Sequence, residues 1–197
     1  MDLLDPEQHF PWVTYEAKEW LDGYLRKDMT VFEWGTGGST LYYAKRVHRV
    51  WAVEHDTTWA ETVLAALKQT ALNNCDYFLI PPRDSMLARF LPYGPHTYVS
   101  RTFAAHHHYS FKEYVRKIDT YADQSFDLVV VDGRARAACM QRAIRTIKKG
   151  GFLMLDNSER ELYQPAINRL FRFDRMDFFG KGPRCQESWQ TTLWRIR

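Results

Sequence analysis

Short apolar runs closed by turn residues recur along this chain with helix-patterned segments between them, and that alternation limits the fold more than any single motif does. The runs are MTVFEW (29–34), RVWAVEH (49–55), YFLIP (77–81), FDLVVVDG (126–133) and GGFLMLDN (150–157). A strand buried on both faces reads as continuous apolar sequence, so these runs predict a parallel sheet covered on both sides. The segments Ser39–Val47, Thr57–Leu72 and Ala135–Lys149 carry apolar residues at spacings of three and four, which predicts crossover helices. Together they predict an α/β sandwich with right-handed crossovers.

The flanks extend this plan. Thr14 stands at a cap position before a helix predicted over about 15–26, with Ala17, Trp20, Leu21 and Tyr24 on one stripe. Residues 1–28 then form an N-terminal helical extension across the sheet edge or the mouth of a ligand pocket. Tyr163–Phe171 predicts a further helix. RMDFFG and TTLWRIR, on either side of GKGPRCQESWQ, predict a terminal antiparallel hairpin. Over 91–115 the alternation breaks, with two prolines, a glycine and no clear period in LPYGPHTYVSRTFAAHHHYS, which predicts an inserted lid or substrate loop. At 197 residues, one domain spanning 1–197 is expected.

Charge and cysteine usage narrow the function classes. A net charge of +3 with scattered Lys and Arg gives no dense basic footprint, so nucleic acid is not an expected partner. Cys75, Cys139 and Cys185 have neither CxxC nor zinc-type spacing, as reduced thiols of a cytoplasmic protein would. The acidic start MDLLDPEQHF is unlike a secretory signal, and no apolar run approaches the ~18 residues of a membrane span, so no membrane partner is expected. Assembly is left open, a homo-oligomer included.

The turn after the first strand, VFEWGTGGST (31–40), carries the chemistry. A strand entering a glycine-rich turn and then a helix offers main-chain N–H groups at close range, a site for nucleotide-like ligands. A dinucleotide fingerprint would need a third glycine where Thr40 stands, so an NAD-dependent dehydrogenase is the weaker alternative. Glu33, two residues before Gly35, suits a cationic ligand better than a pyrophosphate. The string Glu33, Gly35, Thr36, Gly37, Ser39, Thr40 resembles the first motif of class I S-adenosylmethionine-dependent methyltransferases. That resemblance implies a Rossmann-like sandwich with a mostly parallel seven-stranded sheet and a C-terminal antiparallel hairpin, with S-adenosylmethionine as cofactor. Glu54, ending the second strand, is placed to accept both ribose hydroxyls. His55 lines the adenosine pocket or packs beside it, and Asp84 and Ser85 stand where the family meets the adenine.

Asp132 and the pair Asp156–Asn157 end two more strands on the same rim. Two carboxylates and an amide oxygen form an all-oxygen set suited to Mg²⁺, and the set resembles the ligands of metal-dependent O-methyltransferases of the catechol and macrolide-sugar type. Asp132 is also expected to touch the cofactor and to take part in catalysis. The catechol-type general-base lysine is missing, its position being Ala135. His106, His107 and His108 offer a replacement base, with His107 chosen, and Arg134 and Arg136 suit an anionic group on the substrate. Trp12, Tyr15, Trp20, Tyr98, Phe103, Tyr109, Phe111 and Tyr114 form a candidate aromatic mouth. The expected reaction is O-methylation of a small hydroxylated acceptor; the alternative outside catalysis is a module that keeps S-adenosylmethionine without turnover.

Overall fold

The computed structural model describes residues 2–3, 5–101, 107–183 and 185–197. Strands β1 (Thr30–Trp34), β2 (Arg49–Glu54) and β3 (Cys75–Leu79) come first, followed by β4 (Arg83–Asp84) and β5 (Tyr109–Ser110), which pair only with each other. Strands β6 (Phe126–Val131), β7 (Ile147–Asp156), β8 (Asp174–Gly182) and β9 (Cys185–Arg195) complete a seven-stranded sheet in the order β3-β2-β1-β6-β7-β9-β8. The five strands from β3 to β7 run parallel, and β9 is antiparallel to both β7 and β8. This is the sheet the sequence predicts, hairpin included. Order reverses between β1 and β6, the switch point at which open α/β sheets bind ligands beyond their strand ends.

Alternation along β1 divides the core. Phe32 and Trp34 face a layer with Tyr114, Val115, Cys139 and Ala143, contributed by α4 (Lys112–Arg116) and α5 (Arg136–Ala143). Val31 faces the opposite layer, with Ala17 and Leu21 of α1 (Tyr15–Tyr24) and Tyr42 and Tyr43 of α2 (Gly38–Ala44). The helix α3 (Thr57–Gln69) adds Val63 and Ala66 to a smaller cluster that Leu3 completes. Among the described residues no helix is long and apolar enough to cross a membrane.

Several boundaries differ from the sequence pattern. The predicted helix 135–149 stops at Ala143, and β7 already begins at Ile147, where it pairs with Phe126 before a register shift. Residues 163–171 fold as short helical pieces, with α6 confined to Gln164–Ile167. Most of GKGPRCQESWQ is strand: β8 and β9 pair out to Gly182 and Cys185, so the hairpin projects past the sheet. Thr14 stands at the N-cap of α1 as expected, but its hydroxyl makes no cap bond; it donates to Phe178 O at 3.3 Å and ties the helix start to β8. Phe111 and Tyr114 are fully buried core residues instead of parts of a mouth. Phe103 and His106 lie outside the described residues.

Candidate active site

The glycine turn is built by contacts that leave no room for side chains. Gly35 has φ +87°, and a Cβ there would sit 2.6 Å from the main-chain nitrogen of Gly133, in the turn after β6. A methyl at Gly38 would strike the carbonyl oxygens of Gln8 and Phe10, so the N-terminal segment lies directly on the turn. Underneath, Glu33 is fully buried, and its carboxyl accepts from the Ser39 and Thr40 hydroxyls, the latter at 2.7 Å. Burial pushes Glu33 up to about 8 against the pull of these two bonds, and the charges of Asp132 and Glu54 add to the rise. Its carboxyl therefore braces the turn from below and is sealed from any ligand above it.

Glu54 is also buried, at 2 % exposure. One oxygen accepts from Thr36 N at 3.0 Å and Thr36 Oγ1 at 2.9 Å; the other accepts from His55 N at 2.7 Å and Asp56 N at 3.0 Å and lies 2.6 Å from His55 Nδ1. Burial alone would raise this acid, but the His55 contact and the Asp56 and Thr36 N–H groups outweigh it and hold Glu54 at about 2. Thr36 is pinned further by Tyr77 Oη at 2.8 Å and by Trp59 Nε1, which donates to its carbonyl at 2.7 Å. The His55 ring packs against Phe111 and Tyr114.

Two clefts open beside the turn. One, of about 220 Å³, is lined by Thr36, Gly37, Gly38, Ser39, Trp59, Phe10, Trp12 and Asp132. The other, of about 400 Å³, is lined by Trp12, Pro183 and Trp189 with Asp132, Arg136, Asp156 and Asn157. Trp12 and Asp132 belong to both, so the clefts adjoin at one indole and one carboxylate. The segment carrying Trp12 bridges them, from Gly38 at one end to Gly182 and β8 at the other.

The expected metal set is not assembled for a divalent ion. Asp132 Oδ1 pairs with Arg136 Nη2 at 2.9 Å. Asp156 turns its carboxylate to the hairpin, where Oδ1 accepts from Trp189 Nε1 at 2.9 Å and Thr191 Oγ1 at 2.7 Å. Burial pushes Asp156 up to about 7, with the charge of Asp132 adding to the rise. Among the described residues, no group of three or more His, Cys, Asp or Glu side chains is arranged to hold a metal ion. The trio does not fit Mg²⁺ while a guanidinium sits among its oxygens. For the same reason Arg136 is not a clamp for substrate anions.

Two other expectations are displaced. Asp84 and Ser85 line a separate concavity of about 800 Å³ with Arg83, Lys112 and Glu113, where β4 pairs with β5. His107 is exposed, its carbonyl accepting from Arg101 at 3.1 Å, and it lines neither cleft at Asp132. Phe10, Trp59, Pro183, Trp189 and Thr191 are site residues that sequence reasoning missed. Trp189 was hidden because QESW, with polar residues on both sides, reads as loop.

No family model matches the chain, and no curated protein matches it. Solved structures do. An rRNA methylase from Streptococcus thermophilus superposes with TM-score 0.59 at 11% identity, covering 93% of this chain and 96% of that one. The O-methyltransferase of tomaymycin synthesis from Streptomyces achromogenes, solved with S-adenosylmethionine, gives 0.58 at 13%, covering 85% and 73%. A tRNA (m1A58) methyltransferase from Aquifex aeolicus gives 0.57 at 13%, covering 94% and 70%. The fold is that of the class I methyltransferases. In this class I fold, the glycine turn and the two clefts lie at the switch point of the sheet.

Proposed function

We propose that the protein transfers a methyl group from S-adenosylmethionine to a hydroxyl of a small acceptor, without a metal. The observation that carries this reading is the junction at Asp132, where the cleft against the glycine turn meets the cleft against the hairpin. When bound, S-adenosylmethionine supplies a methyl group already activated on a cationic sulfur. The main chain of Thr36–Ser39 would hold its amino-acid end, and Glu54 its ribose hydroxyls once Thr36 Oγ1 releases the carboxylate. His55 remains the candidate wall for the adenosine.

The chain's own work is alignment and exclusion of water. Trp12, Pro183 and Trp189 give the acceptor cleft apolar walls, and Asp132 stands at the junction to orient an acceptor hydroxyl or take its proton. A pocket of this size and lining favours a small molecule over a polynucleotide, although two of the neighbours are RNA methylases. Retention of cofactor without turnover is the second reading, favoured by Ala135 at the place of the catechol-type lysine.

Calorimetric titration with S-adenosylmethionine, with NAD as control, tests the first step. Saturable binding of the former alone is expected, lost in a folded Glu54→Ala variant; binding of NAD alone, or of neither, would defeat the proposal. Cofactor consumption with hydroxylated small molecules, but not with RNA, then separates transfer from retention.

A further inference from the structure

All three nitrogens of the Arg136 guanidinium meet oxygens. Nε donates to Gly133 O at 3.1 Å, Nη1 to Asp156 O at 2.5 Å and to Asn157 Oδ1 at 3.4 Å, and Nη2 to Asp132 O at 2.8 Å, while Nη2 also forms an ion pair with Asp132 Oδ1 at 2.9 Å. A guanidinium has five donors, and four hydrogen bonds and one ion pair hold this one within the turn after β6 and the end of β7. The residue is 6 % exposed. Three carbonyl oxygens, one carboxylate oxygen and one amide oxygen thus enclose a single positive charge, the kind of oxygen shell a hard divalent cation would require.

The local sequence explains how the arginine gets there. Ala135 adopts a left-handed conformation, φ 50°, directly before α5, and this bend starts the helix so that Arg136, on its first turn, lies back under the ends of β6 and β7. A divalent ion could take these oxygens only by expelling the arginine, since two such charges within one buried shell repel strongly. Arg136 also fixes one oxygen of Asp132, leaving a carboxylate that is about a third exposed on the two clefts.

We infer that Arg136 is a built-in cation: it stands in this chain where metal-dependent relatives of the fold would carry a divalent ion, and it positions Asp132 at the junction of the clefts. The exclusion of metal depends on no particular acceptor and on no turnover. Only the positioning of Asp132 for chemistry rests on the methyl-transfer reading.

Mn²⁺ serves as the probe, its free signal followed by electron paramagnetic resonance, with thermal unfolding to check each protein's fold. Wild type is expected to bind no Mn²⁺ at millimolar concentration and to show no shift in Tm. Arg136→Ala, with the oxygens of Asp132 and Asn157 uncovered, is expected to gain saturable Mn²⁺ binding, lost again when Asp132→Asn is added. Arg136→Lys, which keeps the charge with fewer donors, is expected to exclude Mn²⁺ as wild type does. Saturable, Asp132-dependent binding by wild type would overturn the inference, as would a folded Arg136→Ala that binds none or an Arg136→Lys that binds as Arg136→Ala does. Should the alanine variant not fold, the wild-type and lysine titrations decide alone. These readouts move independently of S-adenosylmethionine binding, so failure here is distinct from failure of the proposed function.

Discussion

Glu33 shows what a residue's position in sequence reveals and what it withholds. An acid at a strand end before glycines reads as a partner for a cation above the turn; the structure turns the carboxyl downward onto Ser39 and Thr40. Nothing in the spacing distinguishes these two directions, because both follow from the same backbone. The consequence is a pH dependence. Glu33 lies near 8 in the fold against 4.5 ordinarily, so the folded chain keeps a proton that the unfolded chain releases. Its contribution to stability is therefore full below about 4.5 and is lost as pH rises through about 8, a change on the order of a few kcal/mol. Glu33→Gln, which cannot ionise, is expected to lose less stability between pH 6 and pH 8.5 than wild type does, the loss that remains coming from Asp156, which lies near 7. An equal loss in both proteins, measured by circular dichroism melts, would remove Glu33 as the source.

At the scale of elements, the parallel strands were legible because burial on both faces writes itself as apolar runs. The ends of α5 and β9 were not. The amphipathic pattern of 135–149 continues past Ala143, and what ends the helix is the pairing of Ile147 with Phe126 on the neighbouring strand, a tertiary event. The segment QESW belongs to β9 through its pairing with β8, and the polar residues Gln186, Glu187 and Ser188 are exposed because the hairpin tip stands clear of the core. The contact between α2 and residues 8–12 was equally silent, since Gly38 looks like one more loop glycine. It is the position where a methyl group would hit Gln8 and Phe10. Gly38→Ala is expected to cost roughly 1–3 kcal/mol of overpacking and to lift the segment carrying Trp12. Faster proteolysis before Thr14 and a changed tryptophan emission would report this; unaltered proteolysis and stability would show that the segment has slack.

For the molecule as a whole, strand order does what no local motif can: it brings Glu33, Glu54, Asp132 and Asp156 to one rim although they lie far apart along the chain. The candidate trio was legible as neighbours for that reason, whereas its arginine centre depended on a left-handed Ala135. The N-terminal residues complete the same rim. Leu3 is fully buried with Leu41 and Val63, His9 Nδ1 meets Lys45 Nζ at 2.7 Å, Val13 is 2 % exposed, and Thr14 N donates to Thr191 Oγ1 at 3.3 Å, the hydroxyl that in turn bonds Asp156. Leu3 and residues 5–14 therefore link α2, the clefts and the hairpin into one unit, more than an appended extension would. Burial of Leu3 and Val13 alone is worth about 1.5–3 kcal/mol each. Removing residues 1–13 is expected to lower Tm and to raise amide hydrogen exchange at the start of α2 and in the outer turns of β8 and β9. Exchange in β1, β2 and β6, at the centre of the sheet, should rise only as global stability falls. A uniform rise at every amide would mean that the segment contributes only to overall stability; a local rise at both ends of the bridge is what a clamp on the two clefts requires.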